Sequence, residues 1–258
     1  QSLSYQEFLL FHELEDNDDA LSKYINYGGL PGLKQVGLDD EEFVWDYIRA
    51  VFHTVMLKDI VERNNIRNVS FLNTLLRYFA DTIGKLSSLN NISKFMKSQG
   101  LDVSVKSIAA YLNYFRDAYL LLTVDRFDIH GKKLLESNEK IYFGDVGLRN
   151  LIAGGERQGD IEKILENIVY QQLVRMGYAV SVGQLRAGEV DFVCTKSNER
   201  LYVQVAYLIA SEETEEREFG SLDNIKDNYP KYVISMTPLV RRSDRQGVVH
   251  LGCASSLR

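Results

Sequence analysis

The sequence contains few of the residues that build disulfide frameworks and metal centres. Its 258 residues include two cysteines, Cys194 and Cys253, which lie far apart along the chain. This usage fits a reducing compartment better than a disulfide framework, and the strand-like surroundings of Cys194 predict a buried small side chain. The four histidines are scattered and have no metal-ligand spacing. A disulfide scaffold and a histidine-based metal centre are therefore not expected.

Long apolar runs are also missing. No stretch approaches the roughly 18 apolar residues of a membrane span, and no secretory signal is visible. We therefore expect a cytoplasmic protein without membrane partners. An apolar content of 45% suffices for a core divided over two or three units. The sequence opens at Gln1 without a start methionine, so we expect a fragment or a processed chain.

Charge is distributed unevenly along the sequence. Residues 1–84 carry 7 basic and 14 acidic residues, whereas residues 85–140 carry 9 basic and 6 acidic ones. Residues 141–258 carry 14 basic and 16 acidic residues. A basic middle segment in a protein of net charge −6 indicates a possible nucleic-acid surface, although an ordinary solvated surface can show the same excess.

Residues 1–82 are predicted to form a helical region. Apolar residues at near-helical spacing predict helices over 5–13 and 41–63. Between them, the Gly28-Gly29-Leu30-Pro31-Gly32 stretch predicts a sharp turn.

Residues 83–150 are predicted to form a winged-helix module. Its elements are helices over 71–83, 89–98 and 104–121, followed by strands over 122–127 and 140–143. The charged turn between the two strands would be the wing. In a DNA-binding module of this kind the third helix enters the major groove and the wing contacts phosphates. The predicted DNA-contacting set is then Lys106, Ser107, Arg116, Lys132 and Lys133. The same fold can instead pack protein against protein.

Residues 160–258 are predicted to form an α/β domain with the element order αβββαβ. The periodicity predicts a helix over 161–176 and strands over 178–182, 189–195 and 201–207. A charged helix over 212–229 ends near Pro230 and leads to a strand over 232–236. The whole chain is therefore expected to combine α+β and α/β parts.

Two of these strands carry polar residues where a metal-dependent nuclease carries its metal ligands. Asp191 lies on the first of them, and Gln204 and Ala206 lie on the next, with Glu189 and Glu166 as further acidic candidates. The pattern resembles nucleases of the restriction-endonuclease-like PD-(D/E)xK type, in which Asp and Glu hold Mg²⁺ and a Lys helps the attacking water. Here Gln204 replaces the second carboxylate and Ala206 replaces the Lys. The resemblance implies an inherited, inactive nuclease fold, with Asp191 and Glu166 as residual metal ligands. Lys196 or Lys226 could in principle supply the lost charge.

A nucleotide-binding loop is absent from the sequence. The stretch Gly154–Gly159 has two glycines at phosphate-loop spacing, but Asp160 and Ile161 follow it where Lys and Ser or Thr are needed. We expect this stretch to be a flexible linker.

Several segments together resemble the C-terminal half of bacterial and archaeal AAA+ superfamily ATPase-like proteins that carry a C-terminal domain of unknown function. They are 27–31, 86–92, 141–149, 166–170, 189–192 and 203–207. The resemblance implies that residues 1–82 follow a missing ATPase core. It also implies that ATP and Mg²⁺ belong to the full-length parent and not to this chain.

The expected function is a non-catalytic binding region that couples the absent ATP-binding module to DNA or to a protein partner. One alternative is a nuclease that uses Mg²⁺ or Mn²⁺ with Glu166, Asp191 and Gln204. Another is a structural module that forms a homo-oligomer.

Overall fold

The computed structural model describes residues 2–155, 158–186, 188–238, 242–245 and 247–257. They form a mixed α+β protein that divides into two compact units. The first unit comprises Gln1–Thr123 and Asn138–Arg157, and the second comprises Val124–Ser137 and Gln158–Arg258. The predicted linker over Gly154–Gly159 lies partly outside the described residues.

The first unit is mainly helical. It contains α1 (Tyr5–His12), α2 (Asp18–Tyr27), α3 (Leu33–Val36), α4 (Glu41–Thr54), α5 (Val69–Asp81), β1 (Leu86–Ser87), α6 (Leu89–Ser98), α7 (Val105–Asp117) and α8 (Val146–Ala153). The strands β2 (Leu121–Asp128) and β3 (Lys133–Phe143) contribute residues to both units. β1 pairs antiparallel with β3, so that Leu86 faces Lys140.

The predicted helices of this unit are present, with one change of geometry. The helix expected over 41–63 continues past α4 as a π-helix over Val55–Glu62. Helix α6 has the predicted bounds because the Ser88 side chain accepts a hydrogen bond from the Asn91 backbone N–H, which caps the helix. Helix α7 is shorter than predicted and ends at Asp117. Tyr119, two residues beyond, has a φ of 55°, which a helix cannot accommodate.

A buried carboxylate holds the turn after α2 against the start of α8. Asp145 accepts hydrogen bonds from the Ser2 hydroxyl at 2.7 Å, the Gly29 backbone N–H at 2.9 Å and the Leu148 backbone N–H at 3.0 Å. Burial raises the pKa of this carboxyl, and its hydrogen bonds oppose that rise. Gly28 has a φ of 75°, and a Cβ there would lie 2.4 Å from the Asp145 Oδ1. The Gly-Gly turn and the Gly-Asp-Val-Gly segment are therefore parts of one packed structure.

A buried cation lies in the same helix. Arg149 is fully buried, and its Nε and Nη2 donate to the Ala80 carbonyl oxygen at 3.0 and 2.9 Å. That carbonyl belongs to the last turn of α5, where the helix dipole favours a positive charge. The neighbouring Asn150 donates to the Ile25 and Asn26 carbonyls at the end of α2. These two side chains thus close the C-terminal ends of two helices.

The second unit is built around a mixed sheet. Its elements are α9 (Ile161–Arg175), β4 (Ala179–Gln184), β5 (Glu189–Lys196), β6 (Glu199–Ala206), α10 (Glu212–Asp223), β7 (Lys231–Ser235), β8 (Arg242–Arg245), β9 (Val248–Gly252) and α11 (Cys253–Ser256). The strand order is β2-β4-β5-β6-β7-β9-β8. β4, β5 and β6 pair antiparallel, whereas β2 with β4, β6 with β7 and β7 with β9 pair parallel. The predicted order αβββαβ is present from α9 to β7.

The hairpin predicted as a wing contributes to this second unit. Residues Arg126, Phe127 and Asp128 of β2 pair with Val182, Gly183 and Gln184 of β4. Ile129 is only 7% exposed and packs in a cluster with Leu185, which is itself part of the core of this unit. The sequence did not predict this placement, because nothing in it shows that a strand from the middle of the chain pairs with β4.

Both cysteines are buried and free of disulfide bonds. Burial raises the pKa of each thiol to about 12. The prediction of a buried Cys194 is confirmed. Among the described residues, no helix combines the length and the apolar character needed to cross a membrane.

A buried histidine makes the second unit sensitive to acid. His250 on β9 lies 2.8 Å from the Ser235 hydroxyl and packs edge-on against Phe219. Burial lowers its pKa, and the charge of Glu215 partly opposes the shift. The folded state therefore favours neutral His250, and its contribution to stability is lost as the pH falls below the unfolded value of about 6.5.

We predict that comparing the stability of the wild type with that of a His250→Gln variant reveals this pH dependence. Between about pH 7.5 and 5, the stability advantage of the wild type over the variant should shrink. Chemical unfolding at several pH values would measure it, with the exposed His53→Gln as control. An advantage that stays constant or grows in acid would contradict the prediction.

Candidate functional site

The candidate site is a cleft of about 460 Å³ in the second unit. The antiparallel register of β5 and β6 sets Phe192 against Val203 and therefore Asp191 beside Gln204. Helices α9 and α10 complete the walls, which are lined by Glu162, Lys163, Gly188, Glu189, Asp191, Gln204, Arg217, Glu218, Ser221 and Asn224. Asp191, Gln204 and Glu189, predicted from the sequence as site residues, thus line one cleft.

Gln204 is held at both ends of its amide group. Its carbonyl oxygen accepts a hydrogen bond from the Asp191 backbone N–H at 3.2 Å. Its Nε2 donates to the Glu218 carboxylate at 3.0 Å. The oxygen through which a glutamine would bind a metal therefore already accepts a protein hydrogen bond, and the amide links β5 to α10.

The two carboxylates nearest Gln204 also have donors from the protein. Asp191 is 4% exposed, and its Oδ2 accepts from the Val205 backbone N–H at 2.9 Å. Glu218 is likewise 4% exposed, and its Oε1 accepts from the Arg217 Nε at 2.8 Å. This hydrogen bond raises the pKa of the Arg217 guanidinium, together with the charge of Glu218. Both carboxylates thus have the hydrogen-bond donors that buried acidic groups need.

Glu166 has a lysine partner from its own helix. Its side chain is fully buried, and the Lys163 Nζ lies 2.6 Å from its Oε2. The spacing of three residues places both side chains on one face of α9. Lys163 lines the cleft, whereas the predicted site residue Glu166 does not.

The lysine that the nuclease pattern lacks is not replaced in the way the sequence suggested. Ala206 is 1% exposed. Lys196 Nζ donates to the Met176 carbonyl, and Lys226 Nζ donates to the Asp223 carbonyl, and neither lines the cleft. Among the described residues, the cations that line the cleft are Lys163 and Arg217, which the strand pattern did not identify. For Lys163, the sequence signal was its spacing of three residues from Glu166 on the same predicted helix.

Over the part of the chain that the structure describes, no group of three or more His, Cys, Asp or Glu side chains is arranged to hold a metal ion. The proposed ligands Asp191 and Glu166 instead have the hydrogen bonds given above.

The predicted DNA-contacting residues fall in both units. In the first, Lys106 and Arg116 are exposed on α7, while the Ser107 hydroxyl lies 2.9 Å from that of the capping Ser104. In the second, Lys132 and Lys133 are exposed at the hairpin tip. All four cations are accessible to a ligand, whereas Ser107 is part of a helix cap.

Comparisons with known proteins identify a family without an assigned function. The sequence model of the family described as "Domain of unknown function (DUF8612)" matches residues 18–159. An uncharacterized protein of Haemophilus influenzae is 35% identical over 237 residues, which cover 90% of this chain and 58% of that protein. An uncharacterized protein of Methanocaldococcus jannaschii is 29% identical over 213 residues, which cover 80% of this chain and 46% of that protein. The chain thus spans about half the length of these curated relatives.

Among solved structures, the crystal structure of protein VC1899 from Vibrio cholerae matches 72% of this chain and 54% of that chain, at 13% identity. Its TM-score of 0.26 is too low to support a structural argument. The family match ends before the cleft residues of α9, β5, β6 and α10, so it concerns the helical part and the hairpin. Because it covers more than half of the sequence, the chain belongs to the DUF8612 family.

Proposed function

We propose that the chain is a non-catalytic binding region for nucleic acid, in which a restriction-endonuclease-like cleft serves as a structural element. The observation that carries this proposal is the hydrogen bonding of Gln204. Its amide bridges the Asp191 backbone and the Glu218 carboxylate, so the position of the second metal-binding carboxylate holds a cross-link between β5 and α10.

The charges in the cleft support the same proposal. A nuclease of this type keeps acidic groups available for Mg²⁺, which neutralises charge in the transition state. Here Lys163 lies against Glu166 and Arg217 lies against Glu218. Side-chain cations thus pair with carboxylates that a divalent ion would otherwise balance.

Binding is proposed through accessible cations outside the cleft, and two candidate groups are present. Lys106 and Arg116 on α7 and Lys132 and Lys133 on the hairpin are exposed, as phosphate-contacting side chains must be. The proposed link to an ATP-binding module of the AAA+ type rests on the sequence resemblance alone. ATP and Mg²⁺ would belong to that module.

Binding of a labelled DNA duplex to the full chain, titrated between about 50 and 200 mM salt with and without EDTA, tests this function. We expect affinity to fall steeply with salt because phosphate contacts release counterions. We also expect EDTA to leave the affinity unchanged, since no metal bridges protein and DNA. Incubation with Mg²⁺ or Mn²⁺ should give no cleavage products.

Two outcomes would contradict the proposal. Absence of binding at 50 mM salt would exclude nucleic acid as the partner and favour a protein partner or an oligomeric role. Cleavage that disappears in Asp191→Asn would establish the nuclease alternative. The asparagine variant is preferred to alanine because it retains an oxygen that can accept the Val205 N–H bond.

A further inference from the structure

The hairpin tip is attached to the sheet of the second unit at a defined position. Beyond the paired residues 126–128, the Ile129 backbone N–H donates to the Gln184 carbonyl at 3.2 Å. Ile129 and Leu185 then enter the same buried cluster. The next residues of the two segments, His130 and Arg186, therefore leave the core at the same end of β4.

The turn at the tip exposes its positive charges. The Asp128 Oδ1 accepts hydrogen bonds from the His130 and Gly131 backbone N–H groups at 3.0 and 2.8 Å. These bonds occupy the acidic group of the tip and lower its pKa, with the Gly131 bond as the largest cause. Lys132 and Lys133 both remain exposed.

Arg186 adds a cation from the neighbouring turn. It is exposed and lies between β4 and β5, in a turn closed by the hydrogen bond from the Leu185 N–H to the Gly188 carbonyl at 3.1 Å. Gly188 and Glu189, which follow, line the cleft. We call Lys132, Lys133 and Arg186 the basic rim. Acidic residues beside it along the chain include Asp128, whose Oδ1 accepts hydrogen bonds from its own turn, and the half-buried Glu189, with the exposed Asp125 further back on β2.

We infer that the basic rim, rather than helix α7, is the surface that holds the phosphate backbone of a nucleic acid. This inference rests on the proposed function and assigns its binding surface to the second unit. The rim combines three exposed cations on two adjoining turns. Both turns are anchored in one core cluster, through Ile129 and Leu185. On α7 two of the predicted cations, Lys106 and Arg116, are exposed, and they share their helix with the exposed Asp117.

The pair Lys132→Ala/Lys133→Ala and the single variant Arg186→Ala test the inference. The pair Lys106→Ala/Arg116→Ala, which also removes two charges, is the matched control on α7. All five side chains are exposed, so the variants should fold, and thermal melts would check that they do. The assay is the salt titration with a labelled duplex in EDTA, using the full chain.

We expect Arg186→Ala to weaken binding about tenfold and to lower the slope of log affinity against log salt by about 0.9, the value for one lost phosphate contact on B-DNA. The Lys132/Lys133 pair should lower the slope by about 1.8, while the α7 pair should leave it unchanged. A loss of binding in the α7 pair with normal binding in the rim variants would overturn the inference and leave the proposed function intact. Absence of binding by the wild type would overturn the proposed function itself.

Discussion

An Arg149→Met variant is expected to lose about 3 kcal/mol of unfolding free energy, enough to threaten the first unit. The guanidinium is fully buried and donates twice to the Ala80 carbonyl. Methionine fills much of the volume but cannot donate, so a buried carbonyl at the end of α5 loses its partners. The favourable charge at the helix C-terminus is lost as well.

Urea unfolding followed by circular dichroism would measure this loss. The exposed Arg67→Met makes the same chemical change away from the core and should alter stability by less than about 0.5 kcal/mol. Equal stabilities for the two variants would show that Arg149 does not hold α8 against α5 in the way described.

A Lys163→Met variant is expected to be the most damaging change in the cleft. Removing the ammonium takes away a cation that lies 2.6 Å from the buried Glu166 carboxylate, a change that costs about 2 to 4 kcal/mol. The double variant Lys163→Met/Glu166→Gln should recover most of the lost stability at neutral pH.

Unfolding curves at pH 8 would measure these effects, with the exposed Lys226→Met of the same unit as control. If Lys163→Met were as stable as the control at pH 8, the ammonium would not act as the counter-ion of Glu166. If the double variant were no more stable than the single one, the damage would come from lost packing instead of charge.

Local sequence signals predicted the bounds and order of helices and strands better than the contacts that these elements make in the folded chain. Apolar spacing located α6 to the residue and gave the order of α9 to β7, because this signal depends on neighbours within one element. The adjacency of Asp191 and Gln204 was also predictable, since two consecutive antiparallel strands of this length place them side by side. The helices α2 and α8 were missed where glycine and charged residues weaken the apolar period.

What the sequence did not predict depends on contacts between distant segments. The burial of Arg149 depends on a carbonyl 69 residues away, and that of Asp145 on Ser2 and Gly29. The pairing of β2 with β4 places the hairpin in the second unit. Arg217 and Glu218 lie within a charged helix that looks solvated throughout, although Glu218 turns inward to meet Gln204.

The alkylation rates of the two buried thiols report local unfolding of the second unit. With a pKa of about 12, neither Cys194 nor Cys253 carries an appreciable thiolate fraction at pH 8, and alkylating reagents need both the thiolate and access. Alkylation should therefore follow transient exposure of β5 or of α11. Mass spectrometry of the two labelled peptides would rank the opening free energies of these two segments without any engineered probe.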